Sequence, residues 1–246
     1  MDQNFEDLLK KFKEIRKKGY IKSVTTAKNG CGLTLEHLLN STGGDFCIPD
    51  FKDIELKAIR NYKFADFDLF NASPDGKYVF PAQWIAEKYG YPDRDYKNIK
   101  VFKGNIYSRS LNKIGLFNHY KLRVDKENER IILEIYDYYK NLINSDIYWD
   151  FDSLKEKLER KLQKLAIITV DKLYFDKDYY YLYKSINFYT LKSFDVFIDL
   201  IDKGYIFVTF KTGVIKSGKY KGKFQDHGTA FRISKNNINE LYNKIY

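Results

Sequence analysis

Ile48-Pro49-Asp50-Phe51-Lys52-Asp53-Ile54-Glu55-Leu56-Lys57-Ala58-Ile59 is the stretch on which the reading of this chain turns. From Ile54 onward the apolar residues Ile54, Leu56 and Ala58 alternate with Glu55 and Lys57. A period of two is the signature of a strand. Residues i and i+2 of a strand share a face, so Glu55 and Lys57 project together, about 7 Å apart at their Cα atoms. Asp50 lies just upstream, on a turn or bent strand, where it can converge on the same spot. Two carboxylates and one ammonium are what metal-assisted hydrolysis of a phosphodiester requires. Asp50 and Glu55 are hard oxygen donors suited to Mg²⁺, which polarises a phosphate and acidifies a water. Lys57 can orient that water and neutralise charge developing on the phosphoryl oxygens.

Spacing alone does not single this site out. The pattern acid–any–Lys occurs five times in the chain, as often as its acidic and lysine content predicts. Context separates the five. Glu159–Lys161 falls in a Leu-periodic helix, where i and i+2 face apart. Asp75–Lys77 sits in a Pro-Asp-Gly turn, Asp95–Lys97 in a polar loop, and Asp50–Lys52 precedes the alternation. Only Glu55–Lys57 lies on an alternating strand with Pro-Asp before it. Glu36, in the helical segment Gly32-Leu33-Thr34-Leu35-Glu36-His37-Leu38-Leu39, can add a further acid. Its competing role is a first-turn glutamate favoured by the helix dipole.

Outward from this segment, the 246 residues carry a formal net charge of +10 and are 44% hydrophobic. That is enough apolar content and length to fold without disulfides or metal. No run approaches the roughly 18–20 apolar residues of a membrane helix. Met1-Asp2-Gln3-Asn4 lacks the layout of a signal peptide. Cys31 and Cys47, with His37, His119 and His227, form neither a disulfide framework nor a zinc spacing. These features predict a reducing, cytoplasmic location. The positive charge is clustered. Lys10, Lys11, Lys13, Arg16, Lys17 and Lys18 face one acid, Glu14, and the seven basic residues between Lys211 and Lys235 face only Asp226. Clustering of this kind points to a polyanion such as nucleic acid; a lysine-rich solvated surface is the alternative.

The remaining pattern predicts a helix over residues 5–18 ended by Gly19, and a second with Thr34 as N-cap. A β-type stretch follows Gly43-Gly44, over 46–59, and a helix covers 82–89. A hairpin spans 117–135. A Ser153/Glu156 capping box opens a Leu-rich helix, and strands follow at 166–170 and 179–188. A Ser193-capped helix runs to Gly204, strands lie at 205–210 and 229–234, and a last helix covers 237–242. Mixed elements in this order define an α/β fold. The expected division is a catalytic lobe over about 1–105 and a second lobe over about 106–246.

The Gly32-x-x-x-Glu36 helix, the Pro49-Asp50-Phe51 step, the Ile54-Glu55-Leu56-Lys57-Ala58-Ile59 strand and His227-Gly228-Thr229-Ala230-Phe231-Arg232-Ile233 together resemble the MutH and MvaI/BcnI branch of the PD-(D/E)xK nucleases. The resemblance covers about 35 residues. It implies a restriction-endonuclease-like mixed sheet with flanking helices and a DNA-recognition lobe. It implies Mg²⁺ dependence, double-stranded DNA as substrate, Asp50, Glu55 and Lys57 at the metal-and-water site, and Glu36 as supporting acid. It further implies a bacterial, monomeric type II enzyme acting at a CC-x-GG-like site (CC-W-GG-like where the central pair is constrained), partnered by a cognate methyltransferase. The four-residue gap between Asp50 and Glu55 is shorter than in MutH and favours the restriction branch over the repair nickases. A catalytically silent DNA-binding protein is the rival from another class.

A G·C-rich site needs donors for guanine and acceptors for cytosine N4. Arg232, with its planar fork, is the candidate guanine reader. Asp226 is the candidate cytosine acceptor, and His227 a probe of the central pair. Lys211, Lys216, Lys219, Lys221 and Lys223, in a Gly-containing segment expected to be a flexible loop, are candidate phosphate contacts. A local salt bridge for Arg232 or Asp226, a backbone-bonded His227 and solvated lysines are the competing assignments.

Overall fold

The computed structural model describes residues 2–27, 29–40, 48–60 and 66–246. The expected Gly43-Gly44 turn, the start of the stretch at Phe46, and Cys47 lie outside the described residues. The elements run α1 (Gln3–Lys17), β1 (Ile21–Lys22), α2 (Gly30–Leu39), β2 (Ile54–Arg60), β3 (Asp66–Asn71), α3 (Pro81–Tyr89), β4 (Tyr91–Pro92), β5 (Lys100–Val101), β6 (Lys103–Ile106), β7 (Asn112–Ile114), β8 (Asn118–Asp125), β9 (Arg130–Tyr136) and β10 (Leu142–Asp150). They continue through α4 (Phe151–Leu162), β11 (Lys164–Phe175), β12 (Asp178–Leu191), α5 (Phe194–Asp202), β13 (Ile206–Val214), β14 (Phe224–Ser234), a 3-10 turn at Lys235–Asn237, α6 (Ile238–Leu241) and β15 (Tyr242–Lys244).

The chain forms two compact units, and they are not the two contiguous lobes expected around residue 105. The first comprises Met1–Ala65, Glu156–Ser193 and Asn239–Tyr246, and the second Asp66–Lys155 and Phe194–Ile238. The reason lies in strand pairing. β2 pairs in parallel with β11, Glu55 opposite Leu165 and Lys57 opposite Ile167. Parallel neighbours require a crossover, and here it contains most of the second unit.

The first unit is a mixed sheet in the order β1-β12-β11-β2, with β15 joined to β12. β11 and β12 pair antiparallel from Lys164↔Thr190 to Phe175↔Asp178. The apolar stripe Phe5, Leu8, Phe12 and Ile15 of α1 is buried with Leu35 and Leu39 of α2 against Ile54, Ala166, Ile168 and Phe188. Asp2 caps α1, accepting from the Asn4 amide at 2.8 Å. The hydroxyl of Thr34 does not cap α2: it is buried inside that helix and accepts the Val24 amide at 3.2 Å, while Asn29 stands at the N-cap.

The second unit contains two four-stranded sheets, β10-β9-β8-β7 and β3-β14-β13-β6. Trp149 is fully buried, donates from its indole to the Ala72 carbonyl at 3.0 Å, and packs edge-on against Phe231. The 117–135 hairpin forms as β8 and β9. Ser153 is likewise not an N-cap: α4 begins at Phe151, and the Ser153 hydroxyl donates to Asp75. The last expected helix stops at Leu241, and Tyr242 begins a strand instead. Among the described residues no helix is long and apolar enough to cross a membrane.

Phe188 is fully buried and its ring lies 4.7 Å from that of Phe5. Phe188→Ala should cost about 3–5 kcal/mol, against under about 0.5 kcal/mol for Leu116→Ala on the surface. Urea unfolding of the two variants measures the difference, and equal midpoints would contradict this account of the core.

Candidate active site

A tight reversal brings the acids together. Phe51 and Ile54 exchange two backbone hydrogen bonds, 3.0 and 2.8 Å long, around Lys52-Asp53. That antiparallel bridge sets Asp50 opposite Glu55. Asp50 Oδ2 then accepts the Leu56 amide at 3.0 Å. Lys52 adopts a left-handed φ of 53°, unusual for a lysine. Its ammonium is held by Asp7 and Asn4 of α1 at 2.5 and 3.2 Å, and Asp53 accepts from Asn4 and pairs with Lys164.

Glu55 is 2% exposed, and its Oε1 accepts from Lys57 Nζ at 2.6 Å. The shared strand face thus joins the two residues in an ion pair. Burial raises the Glu55 pKa; the Lys57 charge lowers it and the Asp50 charge pushes it further up. Glu36, half-buried on α2, is raised for the same first reason, and next by Asp50. Glu36, Asp50 and Glu55 therefore share one electrostatic neighbourhood.

A second ammonium is present that spacing did not reveal. Lys161 Nζ, on α4, lies 3.5 Å from Glu55 Oε2, an ion-pair distance longer than a hydrogen bond. Its charge also lowers the pKa of Glu36. Glu159 and Lys161 stand two apart on α4 and face away from each other, and Lys161 meets an acid on another element. No local pattern records that meeting, because it depends on α4 leading into β11 beside β2.

Among the described residues no group of three or more His, Cys, Asp or Glu side chains assembles at metal-binding distances. Mg²⁺ does not require one, since one or two carboxylates suffice and water and phosphate complete its shell. Asp50 and Glu55 give an all-oxygen donor set, and the buried Glu55 Oε2 has no hydrogen-bond partner. These residues fit a hard divalent cation.

The candidate DNA-reading residues lie in the second unit. β14 runs from Phe224 to Ser234, longer than expected, and includes Asp226, His227 and Arg232. Its ladder steps from Phe210↔Thr229 to Thr212↔Asp226, leaving a bulge at His227-Gly228 opposite Lys211. Gly228 has φ 89°, which only glycine adopts readily, and its amide donates to Asp226 Oδ1 at 2.8 Å. Asp226 and His227 are exposed. Arg232 makes the local salt bridge weighed above: its Nε donates to Asp68 Oδ1 at 2.7 Å. Lys211 bonds Asp68 and Asn71, and Lys216 pairs with Asp93 and Asp95. Lys219, Lys221 and Lys223 are exposed on a turn closed by its own backbone bonds, Ile215 N to Lys223 O and Gly222 N to Ile215 O. That hydrogen bonding replaces the slack loop expected from Gly218 and Gly222.

A mixed sheet carrying a buried Glu-x-Lys pair, with an aspartate folded back against it, defines a nuclease of the restriction-endonuclease type. The model of the MvaI/BcnI restriction endonuclease family matches residues 9–242, and the chain belongs to that family. It is a type II restriction endonuclease, a site-specific deoxyribonuclease. A solved complex of restriction endonuclease MvaI with its cognate DNA substrate is similar over 100% of this chain and 98% of that one, at 28% identity and a TM-score of 0.91. MvaI solved without DNA covers the same shares at 27% identity and a TM-score of 0.61. At these identities the chain is a relative of MvaI and not MvaI itself. No curated protein matches the chain.

The raised Glu55 pKa carries a sign that can be tested. The folded, metal-free protein holds this proton longer than the unfolded chain. Its contribution to stability is therefore full below the unfolded carboxylate pKa and lost as pH rises through the folded value. Glu55→Gln removes that loss. The Tm of metal-free Glu55→Gln minus that of wild type should grow from about pH 4 to about pH 7. A difference that shrinks over this range would reverse the assignment.

Proposed function

We propose that this enzyme hydrolyses phosphodiester bonds of double-stranded DNA with Mg²⁺ held by Asp50 and Glu55. The carrying observation is the reversal at Phe51–Ile54, which sets Asp50 opposite the buried Glu55–Lys57 pair. When bound, the cation supplies polarisation of the scissile phosphate and acidification of a water. Lys57 contributes charge: its side chain is 25% exposed, so it can leave Glu55 Oε1 to neutralise negative charge on phosphoryl oxygens. Glu36, whose burial favours the protonated form, is the supporting acid. This reading extends to a monomer in a bacterial cytoplasm, paired with a cognate methyltransferase.

The substrate proposed is a short pseudosymmetric CC-W-GG-like duplex. Asp226, oriented by the Gly228 amide, is the acceptor for cytosine N4, and the bulge presents His227 to the central pair. Arg232 reads guanine by exchanging Asp68 for the base edge. Lys219, Lys221 and Lys223 contact phosphates, and Lys211 and Lys216 do so by releasing their acidic partners.

Plasmid incubated with Mg²⁺ and no partner protein should give defined double-strand fragments, abolished by EDTA and by site methylation. Asp50→Ala or Glu55→Ala should end cleavage while leaving DNA affinity near normal. Lys57→Ala should slow turnover by roughly 10²–10³-fold. Normal turnover in either acid variant would remove the metal-site reading. A Lys57 variant that binds weakly yet cuts normally at saturation would make Lys57 a phosphate clamp.

Reading and holding separate in Ca²⁺, which supports binding without hydrolysis. Arg232→Ala should cost roughly 1–3 kcal/mol on cognate duplex and little on scrambled duplex. Lys219→Ala or Lys221→Ala should weaken both alike and reduce the salt slope by about one. Equal losses on both duplexes for Arg232→Ala would leave it only its structural bond to Asp68.

A further inference from the structure

Asp7, Lys10, Lys11 and Glu14 follow the i, i+3, i+4, i+7 spacing of one face of α1. That face is one wall of a cleft of about 550 Å³. The other walls are the end of α2, at Leu39 and Asn40, and the reversal Asp50-Phe51-Lys52. All of these residues belong to the first unit. The remaining basic residues of the helix, Lys13, Arg16 and Lys17, do not line the cleft. Asp50 does, so the cleft opens beside the acids of the candidate active site.

The cations of this cleft differ in what holds them. Lys52 is engaged by Asp7 and Asn4, and Asp7 also accepts from Gln3 at 2.9 Å. Lys10 and Lys11 are exposed, and neither has an ion-pair partner among the described residues. The Lys11 ammonium nevertheless has a seat: it stands over the Phe51 ring, 5.1 Å from its centroid, and Lys52 stands over the same ring at 5.9 Å. Phe51 is buried and fixed by its bridge to Ile54, so that seat is one residue from Asp50. Three ammoniums and three carboxylates line the cleft. A divalent cation on Asp50 turns that balance positive, which is when a phosphate can enter.

We propose that this cleft is a phosphate subsite for the DNA strand being cut, in which Lys10 and Lys11 hold a phosphodiester that is not itself cleaved. Successive phosphates of one strand rise only about 3.4 Å along the duplex axis. A cleft lined by Asp50 therefore receives a phosphate within two nucleotides of the scissile one. Binding energy realised at that neighbour is used to place the reacting phosphate against the acids. The proposal rests on the reading of Asp50 as a metal-holding acid, because Asp50 is what puts the cleft next to the cut.

Neutral methylphosphonate linkages, placed one at a time around the cut that wild type makes in Mg²⁺, test this by binding in Ca²⁺. In wild type the neutral linkage at the held position should weaken binding roughly three- to tenfold. The double variant Lys10→Ala/Lys11→Ala should lose sensitivity at that position and keep it at the others, and its salt slope should fall by about two. Its single-turnover rate at saturating DNA should fall as well. Both lysines are exposed, so the replacements leave the core intact. Lys13→Ala, on the same helix but outside the cleft, should keep the wild-type pattern. Coupling of the two lysines to no phosphate, or to one more than two nucleotides from the cut, overturns the proposal, and so does the same loss in Lys13→Ala. The coupling is read without cleavage. Normal cleavage by Asp50→Ala would overturn the metal-site reading and leave that measurement unaltered, so the two failures are distinct.

Discussion

Phe51 and Ile54 close a reversal of only two intervening residues, and the acids of the site are arranged by it. Without that bridge Asp50 would continue away from β2, and its carboxylate would have no Leu56 amide to accept. The strain of a left-handed Lys52 is tolerated because its ammonium is anchored on α1, through Asp7 and Asn4. α1 is in turn seated by four buried side chains on the sheet. A helix with no residue among the catalytic candidates therefore contributes to the spacing of the acids.

The electrostatics follow from crowding. Three carboxylates in a partly buried space repel one another, and burial penalises each charge. Lys57 and Lys161 offset part of that cost, one on each oxygen of Glu55. The pKa values of Glu36 and Glu55 remain raised, so compensation by the protein alone is incomplete. A site kept short of positive charge is one that a cation stabilises on binding. On the proposed reading, affinity for a cation and cost to the metal-free fold have the same origin.

Much of this was legible locally. The alternation from Ile54 to Ala58 identified β2, and the Phe5, Leu8, Phe12, Ile15 stripe identified α1, because each period reports directly on a buried face. The same reasoning misassigned Thr34 and Ser153 as caps. Their hydroxyls are taken by Val24 and Asp75, and a capping propensity carries no information about such tertiary partners. The lobe boundary failed for a related reason, since the sequence of β2 does not say that its neighbour starts at Lys164. Lys161 reaches Glu55 from an element far along the chain, and it has no motif around it. Arg232 was legible as a fork but not as the partner of Asp68.

The insertion of residues 66–155 between β2 and β11 also orders events in time. During synthesis β2 emerges well before the strand it pairs with, and the chain of the second unit's first segment follows it. Domains fold as units as the chain lengthens, and pairings this distant in sequence form slowly. β12 must then receive β15, whose residues are made later still. The sheet that carries Glu55 and Lys57 is therefore completed only after both segments of the second unit have been made.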